Sequence, residues 1–322
     1  MKAAVYDHPG GPEVFRYQDV PDPVVPADGV LVRVQAIGVE GGDTLHRARD
    51  EVTVAPHIVG YQCAGIVLAV GEKVTTLREG DRVVTVGTDG SHAELRAVPE
   101  RFCWAVPPDL SIEEAACVPV AFGTADDVLF EFGRLQAGET ALVHAGAGGV
   151  GIAAIQLAKR AGARVIATAS RDDKLERLAE LGLDHGINYM ATDFVAEVCR
   201  LTDGRGVDVV VESVGGRNLQ DSLRCLAYRG RCVGFGDAGR QYGLPIDVSS
   251  LRASNQTLTG YFLGAELVFG DRARRVIAGH LNDAATGALR VVIDRTFPLS
   301  EAAAAHAYIE GREAFGRVLL KP

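Results

Sequence analysis

Three glycines in the stretch HAGAGGVG, residues 144–151, have the spacing Gly146-x-Gly148-x-x-Gly151. The stretch follows an apolar strand pattern and opens a helix pattern rich in small residues, which is the context in which this spacing binds a dinucleotide. Glycines there allow a tight turn, close approach of the backbone to a pyrophosphate and close packing of the helix on the sheet. The unpaired N–H groups at the helix N-terminus then face the phosphates. We therefore predict a dinucleotide site at this turn.

The end of the next strand pattern, ATASRDDK, indicates which dinucleotide binds. An NAD site usually carries an acid about 20 residues after the glycines, which binds the ribose hydroxyls. Here Ser170 and Arg171 occupy the tip and Lys174 follows one helical turn later, and these groups suit a 2′-phosphate. Ser170 and Asp173 also have the spacing of a capping box, which can coexist with a phosphate role because a cap hydroxyl lies where the phosphate would sit. For Arg171 and Lys174 the alternative is solvated surface. We predict that NADPH is favoured over NADH.

A second candidate for chemistry is GYQCAG, residues 60–65, where Tyr61, Gln62 and Cys63 stand side by side. A catalytic zinc needs about three protein ligands, so Cys63 alone makes no metal site. No basic residue flanks Cys63 and no paired base is evident, which disfavours a nucleophilic role. The turn is then best interpreted as a pocket wall, with Tyr61 and Gln62 lining a site whose chemistry belongs to a cofactor.

The composition limits the compartment and the partners. A chain of 322 residues with 47% hydrophobic content can build two domains with buried cores. A formal net charge of −9 argues against nucleic acid or an anionic membrane as a general partner. Neither a signal-peptide pattern nor an apolar run of membrane-spanning length is present, so we expect a cytoplasmic protein. In a reducing compartment the six cysteines, which form no C-x-x-C pair, are expected to be small buried thiols.

The elements that position these residues fall into two classes. Up to about residue 115 the chain consists of short strand patterns separated by glycine and proline, such as VLVRVQAIGV and DRVVTVG. From about 116 to 260, apolar strand patterns such as ARVIATA and GVDVVVES alternate with helical patterns. Such alternation predicts parallel β-α-β units, and the unbroken apolar strands suit a sheet covered on both faces.

The last part of the chain, from about residue 265, returns to mixed elements and ends in the strand pattern GRVLLKP. It is too short to build a core easily, so we expect it to pack onto the N-terminal β region. The prediction is therefore a domain formed by 1–115 together with 265–322, and a dinucleotide-binding domain at 116–264 inserted within it.

The chain resembles the medium-chain dehydrogenase/reductase superfamily, and within it the zinc-independent, zeta-crystallin-like quinone oxidoreductases. The segments that carry the resemblance cover nearly the whole chain: MKAAVYDHPGGPEVFRYQDVPDP, VLVRVQAIGVEGGDTLHR, GYQCAG, LREGDRVV, ALVHAGAGGVGIAAIQLAKRAGARVIAT, HGINY, GVDVVVESVGG, FPLSEAAAAH and FGRVLL. The resemblance implies a GroES-like β-rich domain that the C-terminal segment completes. It also implies an inserted Rossmann doubly wound sheet and a cleft in which the nicotinamide lies.

The resemblance also implies a set of cofactor contacts. Gly149 and Val150 join the three glycines at the pyrophosphate, and Thr124 faces the nicotinamide end. Tyr189 joins Ser170 and Lys174 near the 2′-phosphate, although an aromatic residue at the end of a short strand is as often simply core. Further contacts are implied at Ser213, Gly234, Phe235, Gly236, Phe262, Leu263 and Arg317.

Departures from the family pattern bear on metal and substrate. Zinc-dependent relatives carry a cysteine after the first long strand and a Gly-His-Glu turn, whereas this chain has Glu40 and the turn Gly60-Tyr61-Gln62, so we predict no metal. Glu40 also stands where the quinone oxidoreductases usually have asparagine, and Leu45 stands where they have tyrosine. A second family tyrosine is replaced by the charged run RARDE. The pocket is thus remodelled, and the family substrate does not simply carry over.

We predict a metal-free reductase that transfers a hydride from NADPH to a quinone or an activated C=C bond (an enone). The oxyanion that forms needs a donor, and the pocket candidates are Tyr61, Gln62, Thr124, His46 and Glu40. Asp43 matches a family position that accepts structural hydrogen bonds. An alternative is an enoyl-thioester or specialised-metabolite enone reductase. An alternative of another class is a structural or regulatory NADPH-binding protein with little turnover. The resemblance further implies a homodimer joined through the Rossmann domains.

Overall fold

The computed structural model describes residues 1–322, and the chain folds into two compact units. One, the split unit, consists of Met1–Val120 and Gly264–Pro322, and the other, the inserted unit, is Ala121–Leu263. The first boundary thus lies at residue 120, five residues after the predicted one, and the second lies one residue before it.

The first segment of the split unit is rich in strands, as its β-branched, alternating patterns predict. Its strands are β1 (Lys2–Val5), β2 (Arg16–Asp19), β3 (Gly29–Val39), β4 (Gln62–Val70), β5 (Arg82–Val86), β6 (Leu95–Pro99) and β7 (Cys103–Ala105). Its helices are α1 (Gly41–Arg49), α2 (Ile112–Ala115) and α3 (Pro119–Asp126), the last of which continues into the inserted unit, with 3-10 turns at Pro12–Val14 and Glu100–Phe102.

The inserted unit begins within α3, continues with a π-helical turn at Asp127–Phe132 and then alternates strands with helices. Its elements are β8 (Thr140–Val143), α4 (Gly149–Arg160), β9 (Arg164–Ala169), α5 (Asp172–Ala179), β10 (His185–Asn188), α6 (Phe194–Leu201), β11 (Val207–Glu212), α7 (Gly216–Arg224), β12 (Leu226–Gly234), a 3-10 helix at Val248–Ser254 and β13 (Thr257–Gly260).

The chain then returns to the split unit. The remaining elements are α8 (Leu263–Phe269), α9 (Arg272–Ala285), β14 (Ile293–Pro298), a 3-10 turn at Leu299–Glu301, α10 (Ala302–Glu310) and β15 (Arg317–Lys321). None of the helices in the protein has the length and apolar character needed to cross a membrane.

The inserted unit contains one six-stranded sheet in the order β10-β9-β8-β11-β12-β13, and every pair in it is parallel. All six residues of β11 are buried, four of them valines, as expected for a parallel sheet that is covered on both faces. The strand order reverses between β8 and β11, which makes the carboxyl end of β8 the topological switch point where such sheets bind ligands. The glycine-rich turn follows β8 directly.

The main sheet of the split unit has the order β14-β15-β3-β4-β5-β7, with β6 also paired to β3. β15 runs antiparallel to β3, with Val318 opposite Val39, so the C-terminal strand completes a sheet begun by the N-terminal segment. β4 pairs with the other edge of β3, with Gln62 opposite Gly38. These pairings confirm the predicted fold class, a doubly wound parallel sheet of Rossmann order inserted in a β-rich domain.

Candidate active site

The glycine-rich turn connects β8 to α4 in the inserted unit. Ala145 adopts a left-handed backbone conformation with φ of 49°, and the Gly146 N–H donates to the Thr168 carbonyl oxygen at 2.8 Å. Gly148 caps α4 in an extended conformation, and the helix begins at Gly149. The first-turn N–H groups of α4 have no partners within the helix and point away from its N-terminus. The predicted phosphate-binding turn is therefore built as a helix N-terminus at the switch point of the sheet.

Two of the glycines leave no room for a side chain. A Cβ atom at Gly146 would lie 2.9 Å from the Ala167 Cβ, and one at Gly151 would lie 2.4 Å from the Ala145 carbonyl oxygen. At Gly148 a Cβ would lie 3.3 Å from the Ala145 carbonyl oxygen, so this position is less crowded than the other two. This cradle fits a pyrophosphate, which would accept hydrogen bonds from the first N–H groups of the helix.

The tip of β9 carries the groups predicted to bind a 2′-phosphate. α5 begins at Asp172, with Arg171 as its N-cap in an extended conformation and without a side-chain capping bond. The expectation of a capping box between Ser170 and Asp173 is therefore wrong, because the helix starts one residue too late for it. Instead, Arg171 donates to the Asp173 carboxylate at 2.9 and 3.2 Å. Lys174 on the first turn of α5 is buried.

The other predicted cofactor contacts in the inserted unit follow the carboxyl ends of its strands. Tyr189 follows β10, and its N–H donates to the Ala169 carbonyl oxygen at 3.2 Å, which places it beside the tip of β9. The loops after β11 and β12 touch, since a Cβ on Gly236 would lie 2.8 Å from the Ser213 carbonyl oxygen. The N–H of Tyr261, just after β13, donates to the Gly234 carbonyl oxygen at 2.8 Å. Parallel strands thus bring these segments to one edge of the sheet.

The remaining predicted contacts differ in exposure. Phe262 is largely exposed and Leu263 is buried. Phe235 is anchored by its N–H, which donates to the Glu212 carbonyl oxygen at 2.9 Å. Thr124 lies on α3 and is buried. Its role at the nicotinamide stays a prediction.

Glu212, at the end of β11, is a residue that the sequence interpretation missed. It is fully buried, and its carboxylate accepts hydrogen bonds at 2.9 Å from the N–H groups of Val214 and Gly215 and from the Asn218 amide. Burial raises the pKa of Glu212, while these donors act in the opposite direction. The carboxylate holds the loop that contains Ser213. The signal in the sequence that could have identified it is an acid at the end of the strand pattern VDVVVE.

In the split unit, three strand ends bring Glu40, Gln62 and Arg317 together. Glu40 follows β3, while Gln62 opens β4 and Arg317 opens β15, the two neighbours of β3 in the sheet. Arg317 binds both carboxylate oxygens of Glu40, with the Nη1–Oε2 distance at 2.7 Å. The Gln62 amide donates to Glu40 and accepts from the Val120 N–H at 3.1 Å. All three side chains are buried, and Gly38 leaves room for them, because a Cβ there would lie 2.9 Å from the Gln62 Nε2.

This ion pair limits which polar atoms of the three side chains can contact a ligand. Three donors, two from Arg317 and one from Gln62, are directed at the two oxygens of Glu40, so the carboxylate is engaged within the protein. Both polar atoms of Gln62 are likewise engaged. Arg317, predicted to contact the cofactor, lies here against Glu40, and its cofactor role stays a prediction.

Tyr61 is held by its backbone. Its N–H donates to the Asp43 carboxylate at 3.2 Å, and the other oxygen of Asp43 accepts from the Glu40 N–H at 2.8 Å. Arg96, which is buried, donates to the Tyr61 carbonyl oxygen at 3.0 Å and to the Thr85 hydroxyl at 3.1 Å. Burial, with Asp43 and Glu40 adding to it, raises the pKa of Tyr61, so the phenol is protonated at neutral pH.

The cysteines follow the packing expectation with one exception. Cys63 is fully buried, with its sulfur 3.4 Å from the Thr85 hydroxyl oxygen, and it belongs to the apolar core of the split unit. All six cysteines are free thiols. Five are buried, but Cys199 is exposed, so the expectation of six buried thiols is wrong there. Cys199 lies on α6, whose outer face meets solvent.

Comparison with known protein families agrees with the two units. Residues 26–108 match the family model described as the alcohol dehydrogenase GroES-like domain, and residues 149–278 match the one described as zinc-binding dehydrogenase. The donor set does not fit a zinc ion, because no three His, Cys, Asp or Glu side chains of this chain are grouped as metal ligands.

Full-length relatives narrow the family. The 2-haloacrylate reductase of a Burkholderia species is 36% identical, over 100% of this chain and 99% of that protein. A quinone oxidoreductase of Pseudomonas aeruginosa is 35% identical, over 97% of each chain. The crystal structure of Escherichia coli quinone oxidoreductase complexed with NADPH superposes with a TM-score of 0.95 at 29% identity, over 100% of both chains. The chain belongs to the zinc-independent quinone oxidoreductases of the medium-chain dehydrogenase/reductase superfamily.

Proposed function

We propose that this protein is an NADPH-dependent, metal-free reductase of quinones or activated C=C bonds. The observation that carries the proposal is the glycine turn after β8, which forms a helix N-terminus of the kind that binds a pyrophosphate at the switch point of the sheet. Relatives named for quinone and 2-haloacrylate reduction support the two substrate classes, and the relative crystallised with NADPH supports the coenzyme.

The inserted unit supplies the groups that would hold the coenzyme. The turn residues Gly146, Gly148, Gly149, Val150 and Gly151 would bind the pyrophosphate, and Ser170, Arg171, Lys174 and Tyr189 would surround the 2′-phosphate. The carboxyl-edge loops at Ser213 and 234–236, with Phe262 and Leu263, would flank the nicotinamide half. When bound, NADPH supplies a hydride; the protein orients it and excludes water.

Tyr61 is the candidate whose side chain is chemically suited to stabilise the oxyanion that hydride addition leaves on the substrate. Its hydrogen bonds to the protein come from its backbone, so its hydroxyl is available to a ligand. Its raised pKa keeps the phenol protonated, as a donor must be. Glu40 is engaged with Arg317 and Gln62, and Gln62 with Glu40 and the Val120 N–H, which makes both residues supports rather than donors.

The assay that tests this function follows NADPH oxidation against quinones, enones, 2-haloacrylates, enoyl thioesters and aldehydes. Turnover of quinones or activated alkenes with release of the saturated or hydroquinone product is the expected result. Preference for enoyl thioesters would favour the thioester reductase. Tight NADPH binding without turnover on any of these substrates would overturn the proposal in favour of the NADPH-binding protein.

Replacing Arg171 should change coenzyme preference. Arg171→Ala removes a charge-assisted hydrogen bond to the 2′-phosphate, which is worth about 1.5–3 kcal/mol, so we expect the NADPH Kd to rise by about 10- to 100-fold and the NADH Kd to stay unchanged. Asp173→Asn should have the opposite effect on NADPH, because it frees the guanidinium that Asp173 binds in this structure. Fluorescence titration measures both. Arg177→Ala, on the same helix α5, is the matched control. Equal losses for both coenzymes would contradict the phosphate role.

The homodimer and the cytoplasmic location are part of the same proposal. β13 forms one edge of the parallel sheet, and its residues are partly or fully exposed, so its outer backbone groups suit pairing with a second copy. Sedimentation equilibrium should give the mass of two chains, each of 34.1 kDa, and a monomer at micromolar concentration would exclude the dimer. Cell fractionation tests the location.

A further inference from the structure

One face of α1 carries Gly42, His46 and Asp50 at intervals of four residues, the last as the C-cap of the helix. Residues four apart on a helix are neighbours on its surface. The ring of Tyr61 lies against the first of them: a Cβ on Gly42 would be 2.5 Å from the Tyr61 Cε2 and 3.0 Å from its hydroxyl oxygen. Only glycine at position 42 lets the tyrosine lie here. The phenol therefore marks the inner end of this face.

His46 occupies the middle of the face, one turn after Gly42. Its Nε2 is 3.3 Å from the Asp50 carboxylate, and its ring centroid is 6.5 Å from that of Tyr61. The Asp50 side chain is 57% exposed and the His46 side chain 22% exposed, so the face runs from solvent toward the interior. The His46 Nδ1 is buried and has no hydrogen-bond partner in the protein. One imidazole nitrogen thus lies on an exposed carboxylate, and the other is a buried nitrogen that no protein group occupies.

The reaction creates a need for such a proton. Burial and the surrounding carboxylates raise the pKa of Tyr61, which makes the phenolate left after proton donation unfavourable. A proton donor whose pKa lies far above the operating pH is inefficient by itself, so a group that returns a proton to Tyr61 would favour the transfer. His57, whose ring is 5.5 Å from that of His46, is a poorer source, because burial lowers its pKa and so disfavours the imidazolium.

We propose that Asp50 and His46 form a proton-supply line along α1 that ends at the Tyr61 hydroxyl, from which the substrate oxyanion is protonated. The inference rests on the proposed reduction and specifies its proton source. His46 acts through Tyr61, directly or through one water molecule, and Asp50 orients the imidazole and connects it to solvent.

The step balances in atoms and charge. The hydride carries two electrons to the electron-poor carbon, and negative charge collects on the substrate oxygen. The Tyr61 O–H bond breaks as a new O–H bond forms on that oxygen. The His46 imidazolium returns a proton to Tyr61, and solvent reprotonates His46 on the Asp50 side. One solvent proton is consumed for each hydride, and the protein ends as it began.

The test uses the full-length protein with a substrate that the wild type reduces. His46→Gln should lower kcat by about 100-fold, within the range typical of lost proton transfer. It should leave the NADPH Kd unchanged. Asp50→Asn, at an exposed position, should fold normally and lower kcat several-fold. His8→Gln, an exposed histidine of the same unit, is the control and should keep wild-type kcat.

Two readouts separate proton supply from a structural role. Imidazole added to His46→Ala should restore kcat in proportion to its concentration, and the histidine-dependent limb of the kcat–pH profile should disappear in His46→Gln. The titratable groups that contact His46 and shape that profile are Asp50, His57 and Tyr61. Wild-type kcat and pH profile in His46→Gln, or lack of imidazole rescue, would overturn the inference while the reductase function stands. A wild type without turnover would instead refute the function.

Discussion

Glu40→Gln is expected to destabilise the protein by about 3–5 kcal/mol, the loss that follows when one partner of a buried ion pair is removed. The substitution keeps the shape of the side chain but leaves the Arg317 guanidinium buried without a counter-charge. In the native protein that guanidinium binds both carboxylate oxygens, and Gln62 adds a third donor. Denaturant unfolding, compared at the midpoint, measures the loss.

A double variant and an exposed pair distinguish this explanation from a general sensitivity to charge. Glu40→Gln with Arg317→Met removes both charges, so we expect it to recover most of the lost stability. Glu113→Gln breaks the ion pair with Lys321, whose side chains are 36% and 46% exposed, and should cost less than about 1 kcal/mol. If the double variant were less stable than Glu40→Gln, the buried charge would not be the cause.

Acidification should destabilise the protein steeply through histidines that are buried as neutral rings. Burial lowers the pKa of His92 and of His144 from 6.5 to about 3. Above pH 6.5 both rings are neutral whether the chain is folded or unfolded. Between pH 6.5 and 3 the unfolded chain binds protons that the folded chain refuses, so each ring lowers the free energy of unfolding by about 1.4 kcal/mol per pH unit.

The surroundings of His144 and His92 are consistent with neutral rings. The His144 Nδ1 is 3.1 Å from the Thr168 hydroxyl and its Nε2 is 2.9 Å from the Ser222 hydroxyl. The His92 Nε2 lies 3.1 Å from the Nε2 of His306, so a charge on both rings would place two cations in contact. The pKa of His306 is also well below its ordinary value, because of burial first and then of His92.

Comparing how the free energy of unfolding changes with pH in the wild type and in a histidine variant isolates the contribution of that histidine. His144→Gln should flatten that slope by about 1.4 kcal/mol per pH unit between pH 6.5 and 3, whatever its effect on absolute stability. The slopes of wild type and variant must be compared, because Asp43 contributes a slope of the opposite sign. Burial and Glu40 raise the pKa of Asp43 to about 8, which adds stability as the pH falls from 8 toward 4. Chemical unfolding at several pH values gives the slopes, and parallel curves for wild type and variant would contradict the prediction.

Local pattern was enough to predict the inserted sheet and its phosphate turn. The alternation of apolar strands with helices and the spacing of Gly146, Gly148 and Gly151 are short-range features, and the steric demands behind them act within a few residues. The same locality explains an error. The capping pattern at Ser170 and Asp173 correctly indicated a helix start, but the extended backbone of Arg171 placed that start one residue later.

The chemistry of the split unit was decided by tertiary structure. Glu40 and Arg317 are 277 residues apart, and only the pairing of β15 with β3 brings them together as an ion pair. Glu40 was predicted to line the pocket and Arg317 to contact the cofactor, and in the folded protein the two side chains bind each other. Likewise, the need for a small residue at position 42 arises only from the contact with the Tyr61 ring. The sequence alone determined the fold class and the dinucleotide turn, because these follow from periodicity and glycine geometry. It could name Tyr61, Gln62 and His46 as candidates, but which of them remains free to meet a substrate depends on strand register, which joins residues distant in the chain.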